Sequence, residues 1–278
     1  MAKGLPVLKR RISSIKATKK VTKAMELIAT TRLKTWKDIM AQTRLYTDAL
    51  LNVVHHHLVN TESDELSLFA ENEGVPALHI VITSSLGLCG SHNYSVYKYV
   101  EDHIPLDDEI IIVGEKGMRF YRQSHRKIRT GHVQLLKMDD ADIRHLARFL
   151  YDNFKAKAYA KVTIVYTRFI NSLQTTPEML TLLPLNVTGA AAEVGYGPLI
   201  EPSIEEVLAS LVPFYLNNVI FAKLTESIVS EQSARRTAME KASDNADELI
   251  DELQLEFNKM RQAAITQEIA EIIGGSGQ

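Results

Sequence analysis

From Ser203 to the Gly274-Gly275 pair, apolar side chains recur at alternating three- and four-residue steps: Met239, Ala242, Ala246, Leu249, Leu253, Phe257, Met260 and Ala264. That spacing is the period of an α-helix. At a rise of about 1.5 Å per residue, an unbroken helix over this stretch is about 100 Å long, several times the mean helix of a globular protein. No compact domain can bury it. Ser203 with Glu206 three residues on reads as a capping box that satisfies orphan amides, and Gly274-Gly275 is a natural stop. Pro213 lies inside the run, lacks a backbone donor and crowds the preceding turn, so a kink or a restart is expected there. Such a helix needs a partner.

Residues 5–58 supply one. Leu8, Ile12, Ile15, Thr22, Met25, Ala29, Leu33, Trp36 and Met40 keep close to the same spacing, and neither glycine nor proline interrupts the run from Val7 to Asn60. Its opening is basic (Lys9, Arg10, Arg11, Lys16, Lys19, Lys20, Lys23), while the late helix carries Glu240, Asp244, Asp247, Glu248, Asp251, Glu252 and Glu256. Exposed ion pairs contribute only about 0–1 kcal/mol each, so burial along the stripes must hold the helices together while charge favours an orientation. The basic run is read as a solvated helix face. Nucleic-acid binding is the lesser alternative, because aromatic stacking residues are nearly absent from it. His55-His56-His57 has ligand chemistry for a metal, but consecutive positions point around a helix, so a polar turn without special role is preferred.

Between the helices the pattern changes. Ala77–Thr83, Glu109–Val113, Ile128–Val133 and Lys161–Arg168 read as strands, alternating with helices over Ser91–His103, Lys116–Gln123 and Asp139–Lys157. This alternation means a parallel sheet wrapped by helices. A last strand, Met179–Leu185, follows more directly and suits an antiparallel edge. The Gly/Ala/Pro-rich stretch from Gly189 to Pro202 is a linker back to the long helix. With 45% hydrophobic and 24% charged residues the chain can build a real core, and its net charge of -2 gives no overall bias toward polyanions. Cys89 is the only cysteine, which excludes an intrachain disulfide and fits a reducing compartment. No secretory signal is visible, and no apolar run is expected to reach bilayer-spanning length.

The most enzyme-like feature is Gly87-Leu88-Cys89-Gly90 between the first strand and the next helix. Such a turn can present amides to a phosphate in a doubly wound sheet. No G-x-G-x-x-G or G-x-x-x-x-G-K-[ST] accompanies it, and a plain tight β-α turn is the preferred reading. Cys89 as a nucleophile, with His92 nearby, lacks an identifiable third group and is better read as a small buried hydrophobe. No catalytic carboxylate pair, H-E-x-x-H or C-x-x-C is present. The residues alone describe a two-helix rod carrying an α/β region, with no chemistry of its own.

Five segments carry a resemblance: Ile15–Glu26, Gly87–Gly90, Phe169-Ile170-Asn171, Ser230–Arg235 and Asn258–Ile269. In residue order and spacing along essentially the whole chain, they resemble the gamma subunits of F-type ATP synthases. Two departures from the family pattern stand out: Ser85-Leu86 stands where Asp-Arg is usual, and Arg236 where a Met is usual. The single cysteine excludes the dithiol insert of the chloroplast type. The resemblance implies an α/β fold with a long antiparallel coiled coil, the N- and C-terminal helices forming the rod and a central doubly wound, Rossmann-like, mostly parallel sheet between them. The expected divisions are an N-terminal helix over 1–60, an α/β domain over 75–188 and a C-terminal helix over 203–275.

It also implies a function. The chain is expected to be the central rotor shaft of a rotary ATPase, non-catalytic itself, coupling ion flow (hydrogen-ion transport) through the membrane ring to ATP synthesis or hydrolysis. The implied partners are the alpha and beta subunits of a hexamer, the epsilon subunit and the c-subunit ring, with no nucleic acid and no cofactor or metal. Association with the cytoplasmic face of a bacterial cell membrane would be peripheral, through the complex. Family contact positions toward the hexamer carry over onto Lys23, Met25, Arg235, Arg261, Gln262, Thr266 and Glu268. For Arg261-Gln262 the plain alternative is surface polarity of a coiled coil. A cytosolic coiled-coil adaptor shares the rod and a nucleotide-dependent α/β enzyme shares the α/β region, but neither accounts for the Arg-Gln-Ala-Ala-Ile-Thr-Gln-Glu block.

Overall fold

The computed structural model describes residues 4–58, 68–129, 140–185 and 204–275. The elements in order are α1 (Gly4–Leu58), β1 (Leu78–Ile82), α2 (His92–His103), β2 (Glu109–Val113), α3 (Glu115–Tyr121), β3 (Lys127–Ile128), α4 (Asp140–Lys155), β4 (Val162–Phe169), β5 (Thr175–Leu183) and α5 (Ile204–Gly275). Both long helices are present, and α5 runs 72 residues as one element straight through Pro213 rather than restarting there. The capping Ser203 and the Gly189–Pro202 linker lie outside the described residues, as do the side chains of His55-His56-His57. The chain divides into two compact units, Met1–Thr31 with Arg235–Gln278, and Arg32–Ala234.

In the larger unit a five-stranded sheet has the order β3-β2-β1-β4-β5. β1 pairs in parallel with β2 and with β4, and β5 closes the edge antiparallel to β4, as its short connection suggested. β5 starts at Thr175, four residues before the apolar run that marks it in the sequence; Thr175, Thr176 and Pro177 look like turn residues but pair with Phe169, Arg168 and Thr167. β3 pairs in parallel with β2 at Lys127 and Ile128, and residues 130–133 of its sequence pattern lie outside the described residues. Alternation along the strands sends Val81, Ile110, Ile112 and Val165 to one face, against Val96 and Val100 of α2, Ile104 just after it, and Met118 and Tyr121 of α3. Ile80, Ile82, Ile111, Val113 and Ile164 face the other way, against Leu146, Leu150 and Phe154 of α4. The near-continuous apolar strands follow from being covered on both faces.

The first half of α5 joins that second face. Leu208, Val212, Leu216, Val219, Ile220 and Leu224 are all buried there. α5 contains a stretch long and apolar enough, by length and composition, to cross a membrane, which corrects the expectation that no apolar run reaches that length. Its apolar side is spent on the core: the buried residues recur at three- and four-residue steps and pack on the sheet.

The smaller unit is a helix pair. Gly4 lies against Met260, Lys19 pairs with Asp247, and the Thr22 and Ser243 hydroxyls are 2.7 Å apart, so α5 runs backward along α1. Leu8, Ile12 and Leu253 form a small core with Ile15, Ile250, Phe257 and Met260 around it. Inward positions on α5 fall at Met239, Ser243, Ala246, Ile250, Leu253, Phe257, Met260 and Ala264, a strict four-three alternation. That is the 3.5-residue period of a two-stranded coil. The stripe read from the sequence is out by one residue at two places: Ser243 and Ile250 face inward where Ala242 and Leu249 were expected, and Leu249 is 44% exposed. The hydroxyl contact with Thr22 lets a serine hold an inward position. The opposite charge of the two helices is realised at the Lys19–Asp247 pair, at the edge of the seam.

Candidate functional site

The side chains singled out in the sequence fall into three settings. Arg261, Gln262, Thr266 and Glu268 are all exposed on the last turns of α5, where the Thr266 hydroxyl donates to the Gln262 carbonyl. Met260 and Ala264 beside them are half-buried, as the outward direction of Arg261 and Gln262 requires. Among these polar residues, Ile265, Ile269, Ile272 and Ile273 are 48–70% exposed, an apolar stripe at helical spacing that the described part of α1 does not cover. Lys23 is exposed on α1 and ion-paired with Glu26, whose hydrogen bond and charge hold its ammonium above the usual lysine range. Met25 is half-buried beside it. Arg235 differs from the other six: at 8% exposed it sits within the chain's own packing.

The turn after β1 is held by its own side chains. Asn93, on the first turn of α2, accepts from the Ser84 N–H and donates to the Ser84 Oγ, which in turn donates to the Leu86 carbonyl. Leu88 and Gly90 take positive φ, 62° and 58°, which closes the turn tightly. Cys89 is buried beneath it, beside Ser84 and Asn93. Across the turn, Gly114 (φ 107°) and Gly117 come so near Thr83 that any Cβ would collide with it; the Thr83 hydroxyl accepts from the Gly117 N–H. This is a packed β-α corner. Among the described residues no three His, Cys, Asp or Glu side chains converge as a metal site would require.

Known proteins with the same pattern decide what a helix pair and a plugged α/β corner belong to. The sequence profile of the family described as "ATP synthase" matches residues 4–277. An ATP synthase gamma chain from Mycoplasmopsis pulmonis is 35% identical over 280 residues, covering 98% of this chain and 99% of its own. One from Alkaliphilus metalliredigens is 34% identical with 99% of each covered, and a gamma chain from Acetobacterium woodii described as sodium ion specific is 31% identical over 299 residues. The chain belongs to the ATP synthase gamma-chain family. Gamma chains are the non-catalytic central-stalk rotors of ATP synthases, and this chain is accordingly a peripheral subunit of a membrane complex. In fold it is similar to a chain of the Euglena gracilis mitochondrial ATP synthase in its OSCP/F1/c-ring structure, with a TM-score of 0.72 at 19% identity, covering 99% of this chain and 94% of that one. A chain of the Tetrahymena thermophila central stalk and c-ring gives a TM-score of 0.60 at 23% identity, covering 80% and 99%.

The two departures from the gamma-chain pattern have local settings. Arg236 stays half-buried on α5, its guanidinium directed to Glu240 one turn on. In place of a charged pair before the turn, Ser85 is half-buried and Leu86 is exposed. Ser230 and Ser233 of the Ser230–Arg235 segment, with Ser227 before them, have a role that the sequence does not show. Ser227, Ser230 and Ser233 lie three residues apart on α5, all buried, and each bonds main-chain groups at or just beyond the end of β4. The sequence signal is a serine at every third position of α5 here, Ser227, Ser230 and Ser233.

Proposed function

We propose that this gamma chain turns inside a hexamer of alternating alpha and beta subunits. Its α/β region, with the epsilon subunit, rests on the ring of c subunits at the cytoplasmic face of a bacterial cell membrane. Its main support is the end of α5, where an isoleucine stripe and four polar family positions are exposed together. An apolar stripe left uncovered by its own chain belongs against another one. Lys23, Met25, Arg235, Arg261, Gln262, Thr266 and Glu268 are the contact positions toward the hexamer. Moving a catalytic site from 1:99 to 99:1 between two shapes takes about 5.5 kcal/mol of differential contact, whereas one exposed pair supplies about 0–1 kcal/mol. Several positions must therefore act together, and contacts made and broken in every cycle should be polar and replaceable, as Arg261 and Gln262 are.

A covalent lock tests rotation. In the assembled complex, Gln262→Cys disulfide-bonded to a neighbouring beta subunit should stop multi-turn ATP hydrolysis until reductant restores it, with the same variant kept reduced as the control. Turnover at the reduced rate, with the bond verified and the helix still wound, rules out a turning shaft at this segment. Repeating the lock near Lys23 removes the escape by uncoiling of the helix end.

A further inference from the structure

In a doubly wound sheet the crevice beyond the carboxyl ends of the two strands where the order reverses is the usual ligand site. With the order β3-β2-β1-β4-β5, that crevice lies between β1 and β4. Pairing of β4 with β1 ends at Val165, two residues short of Thr167. On its other side Thr167 faces Pro177 of β5, which has no N–H to give, so the main-chain groups of Thr167 turn toward the side that β1 has left. The chain's own α5 meets them. The Thr167 N–H donates to the Ser227 Oγ at 3.2 Å, and the Ser230 hydroxyl donates to the Thr167 carbonyl at 2.9 Å. The Phe169 N–H donates to Glu226 Oε1 at 3.2 Å, and the Ser233 hydroxyl to the Ser172 carbonyl at 2.9 Å. A helix thus does for the end of β4 what a strand does for its beginning.

Apolar packing between α5 and the sheet opposes separation and any large turn that would expose the buried stripe of α5, but it is non-directional and resists small rotations about the axis only weakly. Hydrogen bonds do resist, because they weaken steeply as the donor angle falls, and the two at Thr167, if lost, leave buried main-chain groups unpaired. We propose that Ser227 and Ser230, with Glu226 and Ser233 flanking them, are positioning residues that form a torsional clamp: they fix the rotation of α5 against the sheet, so torque delivered to the α/β region enters α5 as rotation rather than slip. This rests on the rotor reading above.

The test uses the assembled complex, with the catalytic head fixed to a surface and stalled without ATP, and a bead on the α/β region reporting angular fluctuation. In Ser227→Ala/Ser230→Ala the variance of the angle should widen about twofold or more, and the Thr167 amide should exchange about fivefold faster or more, the equivalent of one hydrogen bond. The rate of ATP hydrolysis should stay at the wild-type value. Thr225→Val is the control, since among the described residues that buried hydroxyl bonds only the Phe221 carbonyl of its own helix, and its loss tests mere destabilisation. Variance unchanged in the double variant, or widened equally by Thr225→Val, overturns the clamp. If the double variant does not assemble, Ser230→Ala alone carries the same reading with a smaller effect. A wild-type complex that does not rotate on adding ATP overturns the rotor reading itself; rotation with undiminished stiffness in the variant overturns only the clamp.

Discussion

Cys89 sits under the turn after β1 with the Asn93 amide 3.5 Å and the Ser84 hydroxyl 3.8 Å from its sulfur. Cys89→Ser places a hydroxyl among the same partners, so it should cost about 1 kcal/mol or less of stability and leave the ATPase rate of the assembled complex nearly intact. Complete loss of activity in a correctly assembled complex would assign the thiol a chemical role. His79 makes a different kind of prediction. Its ring is buried on β1 between the Thr163 hydroxyl, 2.7 Å from Nδ1, and Asp108, 3.1 Å from Nε2. Burial lowers its pKa below the ordinary 6.5, with Asp108 opposing the shift. The unfolded chain therefore binds a proton near pH 6.5 that the folded chain takes only at lower pH, so His79 contributes its full stability above about pH 6.5 and loses it as the pH falls. Denaturant unfolding at pH 8 and pH 5 should show a larger drop for the wild type than for His79→Gln. An equal drop would mean that the ring is not held neutral.

Elements end where donors or acceptors run out, and α2 ends on Arg126. Its side chain is buried, and Nη2 donates to the carbonyls of Ile104 at 3.0 Å and Val100 at 3.4 Å while Nη1 reaches Pro105 at 3.1 Å. Nε and Nη2 also grip both oxygens of Glu101 at 3.0 Å. Glu101 is 46% exposed, so the ion pair itself contributes little; the cost of losing Arg126 comes from its buried side chain and from the buried Ile104 carbonyl that loses this donor, while Val100 keeps the Ile104 N–H. Arg126→Ala should lower stability by about 1–3 kcal/mol in thermal or denaturant unfolding. Arg126→Lys should recover less than half of that, since one ammonium cannot reach around the fork. Nothing in the sequence marks this arginine, because its partners lie some twenty residues earlier and meet it only across the sheet edge. The helix itself was plain in the sequence, since its period is local.

At the scale of the molecule, the chain contributes shape and contact to a complex whose nucleotide chemistry lies elsewhere. The β1-α2 turn, the one place that resembles a phosphate cradle, is tied up by Asn93 and Ser84. The crevice between β1 and β4 is met by the α5 serines. The isolated chain should therefore show no micromolar ATP binding in calorimetry and no ATP turnover; binding accompanied by hydrolysis would contradict a purely mechanical subunit. The candidate contact positions were legible as family motifs, but their exposure was not. Six lie at least partly open on the two long helices, whereas Arg235 is taken into the chain's own packing.

Periodicity by itself determined the two long helices and the alternation that builds the sheet, because each depends on backbone geometry over a few consecutive residues, and the short connection before the last strand pointed to an antiparallel edge. Motif order then determined the family. Only the tertiary structure decided the phase of those patterns. A stripe at Ala242 and Leu249 and a stripe at Ser243 and Ile250 have the same 3.5-residue period, and the position of α1 selects the second. Composition likewise leaves open whether the apolar start of α5 meets lipid or protein. The sheet decides, because its second face is otherwise only partly covered by α4 and its buried isoleucines and valines need the leucines of α5 against them.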